Sequence, residues 1–565
     1  MYKSIFVNQC GYLPNMTKRV TFRSDSPVGF DVITTDGHIV YHGTASIRVE
    51  NPCAGETDYV GNFSPVTAPG RYRIVSHSPS ESDTFEIADN VYEDVFRKAF
   101  AFFYLQRCGC DLPKSAAGMF AHRACHTKIA TVYGTGEKLD VTGGWHDAGD
   151  YGRYIVPGVM AAAQLLYAFE ENPELCAVYT APGGEGGPEA HVGTETQADS
   201  GSHAGPDAYA FPGNEVKLPP CLEEIKYELD WMLKLQREDG QLYHKASCHR
   251  FCAMIMPDTE QDDIVVSPVS ATATADFAAV TAMAVRFYKK YDPAYADKLA
   301  AASRKAYDAL RTMEASQGFK NPPGINTGGY GDPHDTDERY WAAAELYKAF
   351  GDESYREDFE RLAEQQIFHG YGWGNMGSYG NRAYLTTAHP TDTGLKEKIT
   401  AAMIALAEEK LRTASSDGYG TSLPIEHYYW GSNMAAANNG LHMYDAYRIT
   451  GRRDFLDAAG DQLHYLLGRN PMGLCYLTGC GTDAIKHPHH RPSAYLGKAM
   501  PGMLSGGPCG RRADPTAKGV LPEEYPPAKA LVDMFGSYST NEVAIYWNSA
   551  FVQLLASVVQ AENHP

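Results

Sequence analysis

The sequence predicts a small β-sandwich followed by a large all-helical domain. Three observations carry this reading. The first ninety residues alternate short strand-type runs with turn signals, and from Val91 onward apolar residues recur at intervals of three and four. The third is size: 565 residues, 44% hydrophobic and 21% charged, make a globular chain too long for one ordinary core.

The strand-type runs are KRVTF at 18–22, GFDVITT at 29–35, HIVYH at 38–42 and RYRIV at 71–75, the last following Pro69-Gly70. They mark residues 1–90 as a β-sandwich domain. In residues 91–565 the amphipathic pattern starts with VYEDVFRKAFAFFYLQRC and returns in Leu222, Ile225, Leu229, Met232 and Leu233. Further helices are expected near 154–170, 270–290, 293–313, 338–349, 354–368, 395–412, 433–448, 453–467 and 541–560. Roughly a dozen helices joined by Gly- and Pro-rich loops suit a toroid of helical hairpins better than a small bundle. The longest loop, 181–215, reads as a mobile lid or a disordered insert, because loops beyond about 15 residues inside a compact domain tend to be functional.

The balance of 49 Lys+Arg against 69 Asp+Glu would repel nucleic-acid phosphates and anionic membrane surfaces, and suits neutral or cationic partners. No segment approaches the ~20 apolar residues that span a bilayer. The start, MYKSIFVNQCGYLPN, has no apolar core of an export signal. The expectation is a cytoplasmic chain whose twelve cysteines are free thiols or metal ligands.

GGWHDAGDYG at 143–152 sets Asp147 and Asp150 three residues apart in a glycine-punctuated turn. Both carboxylates can point at one small object, with an aromatic on either side as a face for a ring. A calcium loop or a helix-capping turn would use the same spacing. Glu542, in STNEVAIYWN, opens the last helical stretch, where Ser539-x-x-Glu542 also matches a capping box. HPHHRP at 487–492 gathers three histidines and Arg491 in a loop that proline keeps from becoming helical, a polar binding wall.

GGWHDAGDYG, LLGRNPMG with HPHHRPS behind it, and NEVAIYWN, in this order and at these distances, resemble the signatures of glycoside hydrolase family 9, the cellulase family. VNQCGYLPN resembles the immunoglobulin-like domain that precedes the barrel in one branch of it, and MPDTEQDDIVVSPVSATATADFAAV at 256–280 is similar as well. The resemblance spans essentially the whole chain. It implies an all-α (α/α)6 barrel behind an immunoglobulin-like sandwich, and an inverting hydrolase with Asp150 as general base, Asp147 helping to hold the attacking water and Glu542 as general acid. It further implies sugar binding by His489 and Arg491, with Trp547 lining the same subsite; Trp145, Trp430 and Trp373 are additional candidates for stacking. Inversion needs acid and base ~6.5–9.5 Å apart to admit a water, and an acid whose pKa is raised by burial or nearby negative charge.

Cys108, Cys125, His126 and His146 supply the two thiols and two imidazoles of a closed structural zinc, in no compact-finger spacing. Buried free cysteines are the alternative, and Cys110 competes with Cys108. The immunoglobulin-bearing branch is similar in having a zinc held by Cys, Cys-His and the His of this loop, which implies Zn2+ as a clamp on the loop. Ca2+, common in the family, is expected in acidic loops such as Gly331–Glu338. The expected activity is that of an endo-acting β-1,4-glucanase on cellulose-like or mixed-linkage β-glucans and their oligosaccharides, in a monomer. The alternative is exo-release of glucose or glucosamine from short oligosaccharides.

Overall fold

The computed structural model describes residues 3–76, 80–180 and 217–564, and the 181–215 insert lies outside them. Strands β1 (Ile5–Phe6), β2 (Arg19–Arg23), β3 (Val28–Thr34), β4 (Ile39–Ala45), β5 (Ile47–Asn51), β6 (Glu56–Asn62), β7 (Gly70–Ser76) and β8 (Phe85–Ile87) build two antiparallel sheets. Their orders are β1-β2-β6-β5 and β4-β3-β7-β8. Alternate residues fill the space between: Val20 and Phe22, Phe30 and Val32, Tyr72 and Ile74 are buried. Thr21 is buried on the other face of β2, because that face lies on the helical domain, where its hydroxyl donates to Gly418 O at 2.7 Å.

Among the described residues, twelve helices of ten or more residues follow. The outer six are α1 (Glu93–Leu105), α3 (Pro220–Lys234), α5 (Pro293–Leu310), α7 (Glu353–Gln365), α9 (Thr393–Ser415) and α11 (Arg453–Leu466). The inner six are α2 (Ile155–Glu171), α4 (Ala271–Tyr288), α6 (Thr336–Phe350), α8 (Gly377–Thr386), α10 (Ser432–Thr450) and α12 (Ile545–Asn563). Inner helices are buried along most of their length, while outer ones bury one stripe, such as Val95, Phe96, Ala99, Phe100 and Phe103 of α1. Around the ring α10 packs on α12, α12 on α2, α2 on α4, α4 on α6 and α6 on α8. Arg382 of α8 and Asp445 of α10, 3.6 Å apart, join the remaining pair. This is the (α/α)6 barrel.

Three features depart from expectation. Helix α8 was not anticipated, because GSYGNRAYLT has no apolar stripe; its Gly380 instead lets the helix approach α6, where a Cβ would lie 2.7 Å from the Tyr340 ring. The last helix begins at Ile545 and not at 541, since Glu542, Val543 and Ala544 are drawn out as bridge partners of His489, Ser505 and Ala148. A small sheet not foreseen either combines β9 (Ala130–Val132), β10 (Lys138–Leu139), β11 (Arg153–Tyr154), β12 (Lys245–Cys248) and β13 (Ile264–Val266). Strand β11 leaves directly from the GGWHDAGDYG loop and pairs Tyr154 with Lys245.

The VNQCGY segment is the joint between the domains. Asn8 Nδ2 donates to Tyr92 OH (3.1 Å), and Gln9 Nε2 donates to Gly473 O (2.8 Å) while Gln9 Oε1 accepts from the Asp483 amide (2.8 Å). Nearby, Asp461 of α11 is held between Arg19 of β2 and Arg469, the latter at 2.7 Å. Burial alone would raise the Asp461 pKa, but the two guanidinium charges outweigh it and hold the carboxyl below its usual range. Asp461→Ala leaves Arg469, only 1% exposed, without its counter-charge. The expected loss is about 3–5 kcal/mol in urea unfolding, and an unchanged midpoint would show that the joint does not depend on this triad.

Candidate active site

The GGWHDAGDYG loop is built on close approaches. Gly144 has φ +77°, and a Cβ there would lie 2.7 Å from Trp231; a Cβ on Gly149 would lie 2.2 Å from His489 O. Backbone polar groups of the loop find partners across the fold, as buried ones must. Gln106, at the end of α1, donates to His146 O and Ala148 O, both at 3.1 Å, and Arg491 donates to Gly149 O at 2.6 Å. Ala148 bridges Ala544, and the Ile545 amide donates to Asp147 O at 2.8 Å.

The structure brings Asp147, Asp150 and Glu542 to one cavity of about 320 Å3. Asp150 Oδ2 accepts from the Gly152 amide and from Tyr154 OH, each at 3.0 Å. Tyr154 OH in turn accepts from the Gly328 amide at 3.1 Å. Asp147 Oδ2 accepts from Tyr330 OH, and Asp147 Oδ1 is buried without a partner. Burial, then the Asp150 charge, push the Asp147 pKa well above the carboxylate range. Burial and Asp150 likewise raise Glu542 to about 8, against the Arg491 charge and hydrogen bonds from Trp430 and the Gly149 amide. The capping box is not formed: the Ser539 amide donates to Asp514 at 3.0 Å, which leaves Glu542 to face the cavity.

Aromatic rings make the walls. Trp547 is buried in a slot between Gly431 and Gly506, Trp430 is 43% exposed at the rim, and Trp373 meets Tyr330 edge-on at 5.4 Å. Trp145 is a correction: it is 1% exposed, packs on Phe103 and donates its indole N–H to Glu224 at 2.9 Å, so it is core and no stacking platform. Arg491 lies behind the loop, with its nitrogens donating to Gly149 O and, at 3.1 and 3.2 Å, to Cys252 O. His489 Nδ1 is tied to Phe535 O at 2.6 Å. In this arrangement Arg491 and His489 both brace the backbone around Asp150 and Glu542.

Tyr154, Tyr330, Gln106 and Lys245 were not picked out from sequence. Tyr154 stands four residues past Asp150, a signal that was available. Tyr330 follows two glycines and sits at φ +44°, a conformation that non-glycine residues seldom adopt outside functional sites. Buried Lys245 donates to Thr327 Oγ1 at 2.9 Å and to Gly328 O at 2.5 Å, which holds the strand that meets Tyr154.

Cys108, Cys125, His126 and His146 are all buried with their ligand atoms within 4.8 Å of one another. The two sulfurs are 4.0 Å apart and Cys125 Sγ lies 3.6 Å from His146 Nε2. His126 Nδ1 is buried without a hydrogen-bond partner while its Nε2 faces Glu260 at 2.9 Å. A donor set with one orphaned ring nitrogen and a carboxylate behind the ring fits a metal ion. Cys110 is not part of the group. In the Gly331–Glu338 loop, Asp335 pairs with Arg339 at 3.0 Å, whereas Glu338 and Asp276 of α4 have all four carboxylate oxygens buried and unpartnered.

A buried acid and a hydrogen-bonded carboxylate sharing an aromatic cavity in a barrel of helical hairpins define a glycoside hydrolase. The chain belongs to glycosyl hydrolase family 9: that family's model matches residues 92–555, and the cellulase N-terminal ig-like domain matches residues 1–81. A cellodextrinase from Butyrivibrio fibrisolvens is 33% identical over 99% of this chain and 100% of its own length. A single-mutant thermostable endoglucanase from Alicyclobacillus acidocaldarius superposes with TM-score 0.88 at 35% identity, covering 99% of this chain and 100% of that one. A zinc-binding triple mutant of another family 9 endoglucanase gives TM-score 0.87 at 32% identity, covering 97% and 99% of the two chains.

Gly149→Ala drives a methyl group into His489 O, where the loop of Asp147 and Asp150 packs on the segment that bridges Glu542. The expected cost is about 1–3 kcal/mol of stability with activity reduced by roughly 100-fold, since a misplacement of about 1 Å costs that much. Thermal melting and steady-state rates check it, and an intact rate would show that the approach is not needed for alignment.

Proposed function

We propose that the chain is an inverting, endo-acting β-1,4-glucanase on cellulose-like or mixed-linkage glucans and their oligosaccharides. The observation that carries it is the pairing of a buried Glu542, pushed up to about 8, with a hydrogen-bonded Asp150 in one aromatic-walled cavity. Glu542 gives its proton to the glycosidic oxygen as that bond breaks. On the opposite face of the sugar, Asp150 takes a proton from the water that attacks the anomeric carbon, and Asp147 helps to hold the water. Trp430 and Trp547 offer faces to sugar rings. Relatives named endoglucanase and cellodextrinase support the β-1,4-glucan class and do not favour the exo-acting alternative.

Glu542→Gln removes the acid, so hydrolysis of a soluble β-glucan should fall by about 100- to 10,000-fold. Unaltered turnover, or a β-anomer as the first product by NMR, would reject the assignment. In the native enzyme the rate depends on protonated Glu542, so it should fall as pH rises through about 8. Trp430→Phe takes away a donor that favours the carboxylate, so this alkaline limb should move upward.

We further infer that Cys108, Cys125, His126 through Nδ1 and His146 hold a structural Zn2+. When bound by four protein ligands, the ion has no open position and serves to fix the loop from His146 onward. Asp276 and Glu338, with Asp332 and Asp337 beside them, are the residues that would take Ca2+. Metal analysis should show one zinc ion per chain fewer in Cys108→Ser than in the native protein and none fewer in Cys110→Ser; equal loss from both would put the ligand choice in error.

A further inference from the structure

Outside the catalytic cavity and the four-residue cluster, a second group of metal-ligating side chains stands directly behind Asp150. Strand β12 ends at Cys248, the chain turns through Phe251 to Cys252, and a 3-10 turn at Pro257–Thr259 delivers Glu260 back to the same point. Glu260 Oε2 lies 2.9 Å from His126 Nε2, and the ligand atoms of His126, Cys248 and Glu260 fall within 4.8 Å of one another. The thiols of Cys248 and Cys252 lie near the Glu260 carboxylate and, with His126, help to hold it below its usual range. A void of about 10 Å3 lined by Cys248, Cys252, Glu260 and Asp150 lies here, about the volume of one ion or water.

We propose that Cys248, Glu260 and Nε2 of His126 take a second thiophilic divalent cation of the Zn2+ class, with Cys252, whose sulfur stands outside that 4.8 Å group but lines the same void, turning in as the fourth ligand. Two thiols, a carboxylate and an imidazole are a tetrahedral donor set, and the softness of sulfur selects zinc over magnesium or calcium. Binding exchanges two thiol protons and the Nε2 proton for the cation, with no change of oxidation state. His126 then faces two ions, Nδ1 toward the first cluster and Nε2 toward the second. Arg491, already donating to Cys252 O, lies beside the negative charge that the thiolates bring. Without the second ion, Glu260 remains the carboxylate that orients His126. The second ion would clamp the strand behind Asp150 as the first clamps His146, so the base would be held from both sides.

The test is zinc stoichiometry in the full-length protein, loaded with Zn2+ under reducing conditions, dialysed, and measured by mass spectrometry of the metal. Two zinc ions per chain are expected in the native protein and one in the Cys248→Ser/Cys252→Ser double variant, while Cys108→Ser should retain the second ion. In the Co2+-substituted protein, the thiolate-to-metal absorption should drop by about half in the double variant, because two of four thiolates are gone. If the double variant does not fold, Cys252→Ser, which leaves His126 and Cys248 intact, should weaken the second ion roughly tenfold or more in competition with a chelator. One zinc in native and double-variant proteins alike, an unchanged second affinity in Cys252→Ser, or a Cys248–Cys252 disulfide in the non-reduced peptide map would overturn the proposal. Failure of the four-residue cluster would show instead as zinc unaffected by Cys108→Ser.

Discussion

The antiparallel bridge between Ala148 and Ala544 is the contact on which the grouping of the three carboxylates depends. It joins the backbone that carries Asp147 and Asp150 to the backbone that carries Glu542. The placement of Glu542 against Asp147 and Asp150 is therefore tied to main-chain contacts. The amide of Ile545 on Asp147 O and Arg491 on Gly149 O extend the same seam. Each carboxylate segment sits just before the first turn of an inner helix, α2 or α12, and those two helices pack on each other. Ring closure of the barrel and assembly of the site are thus one event.

Within that frame, electrostatics sorts the three carboxylates. Like charges in a small, poorly solvated volume disfavour one another, and with burial they raise both Asp147 and Glu542. Asp150 has an amide and the Tyr154 hydroxyl, whereas Asp147 has Tyr330 alone and one oxygen with nothing. Glu542 has partners too, but burial and the neighbouring Asp150 charge prevail. The two residues held at positive φ outside glycine that bear on this region, Tyr330 and His126, sit at a carboxylate and in the Cys/His cluster, where surrounding contacts can maintain a strained backbone.

Much of the site was legible in the linear chain, because its chemistry is concentrated in short motifs. Asp147 and Asp150 share one turn and Glu542 stands at the head of the last helix-bearing segment, whereas the scattered Cys108, Cys125, His126 and His146 suggested a metal only through the family resemblance. Amphipathic stripes marked eleven of the twelve long helices; α8, with glycine and polar residues, carried no such stripe. Trp145 was misassigned because an aromatic beside a catalytic loop looks alike whether it faces sugar or core. Its burial follows from Phe103 and Glu224, which no local pattern connects to it.

By itself the sequence determined the two-domain architecture and the helical period, which rest on periodicity, and its short motifs singled out Asp147, Asp150 and Glu542 through their resemblance to family 9. Only the tertiary structure decided that Cys108 and not Cys110 joins the cluster, that Glu542 lies on an extended bridge and not in a helix, and that Tyr154 and Tyr330 hold the aspartates. It also decided that Arg491 braces the loop. Each of these depends on which groups share a buried volume. Burial, orphaned donors and close backbone approach are properties of packing, and they come into being only when distant segments meet.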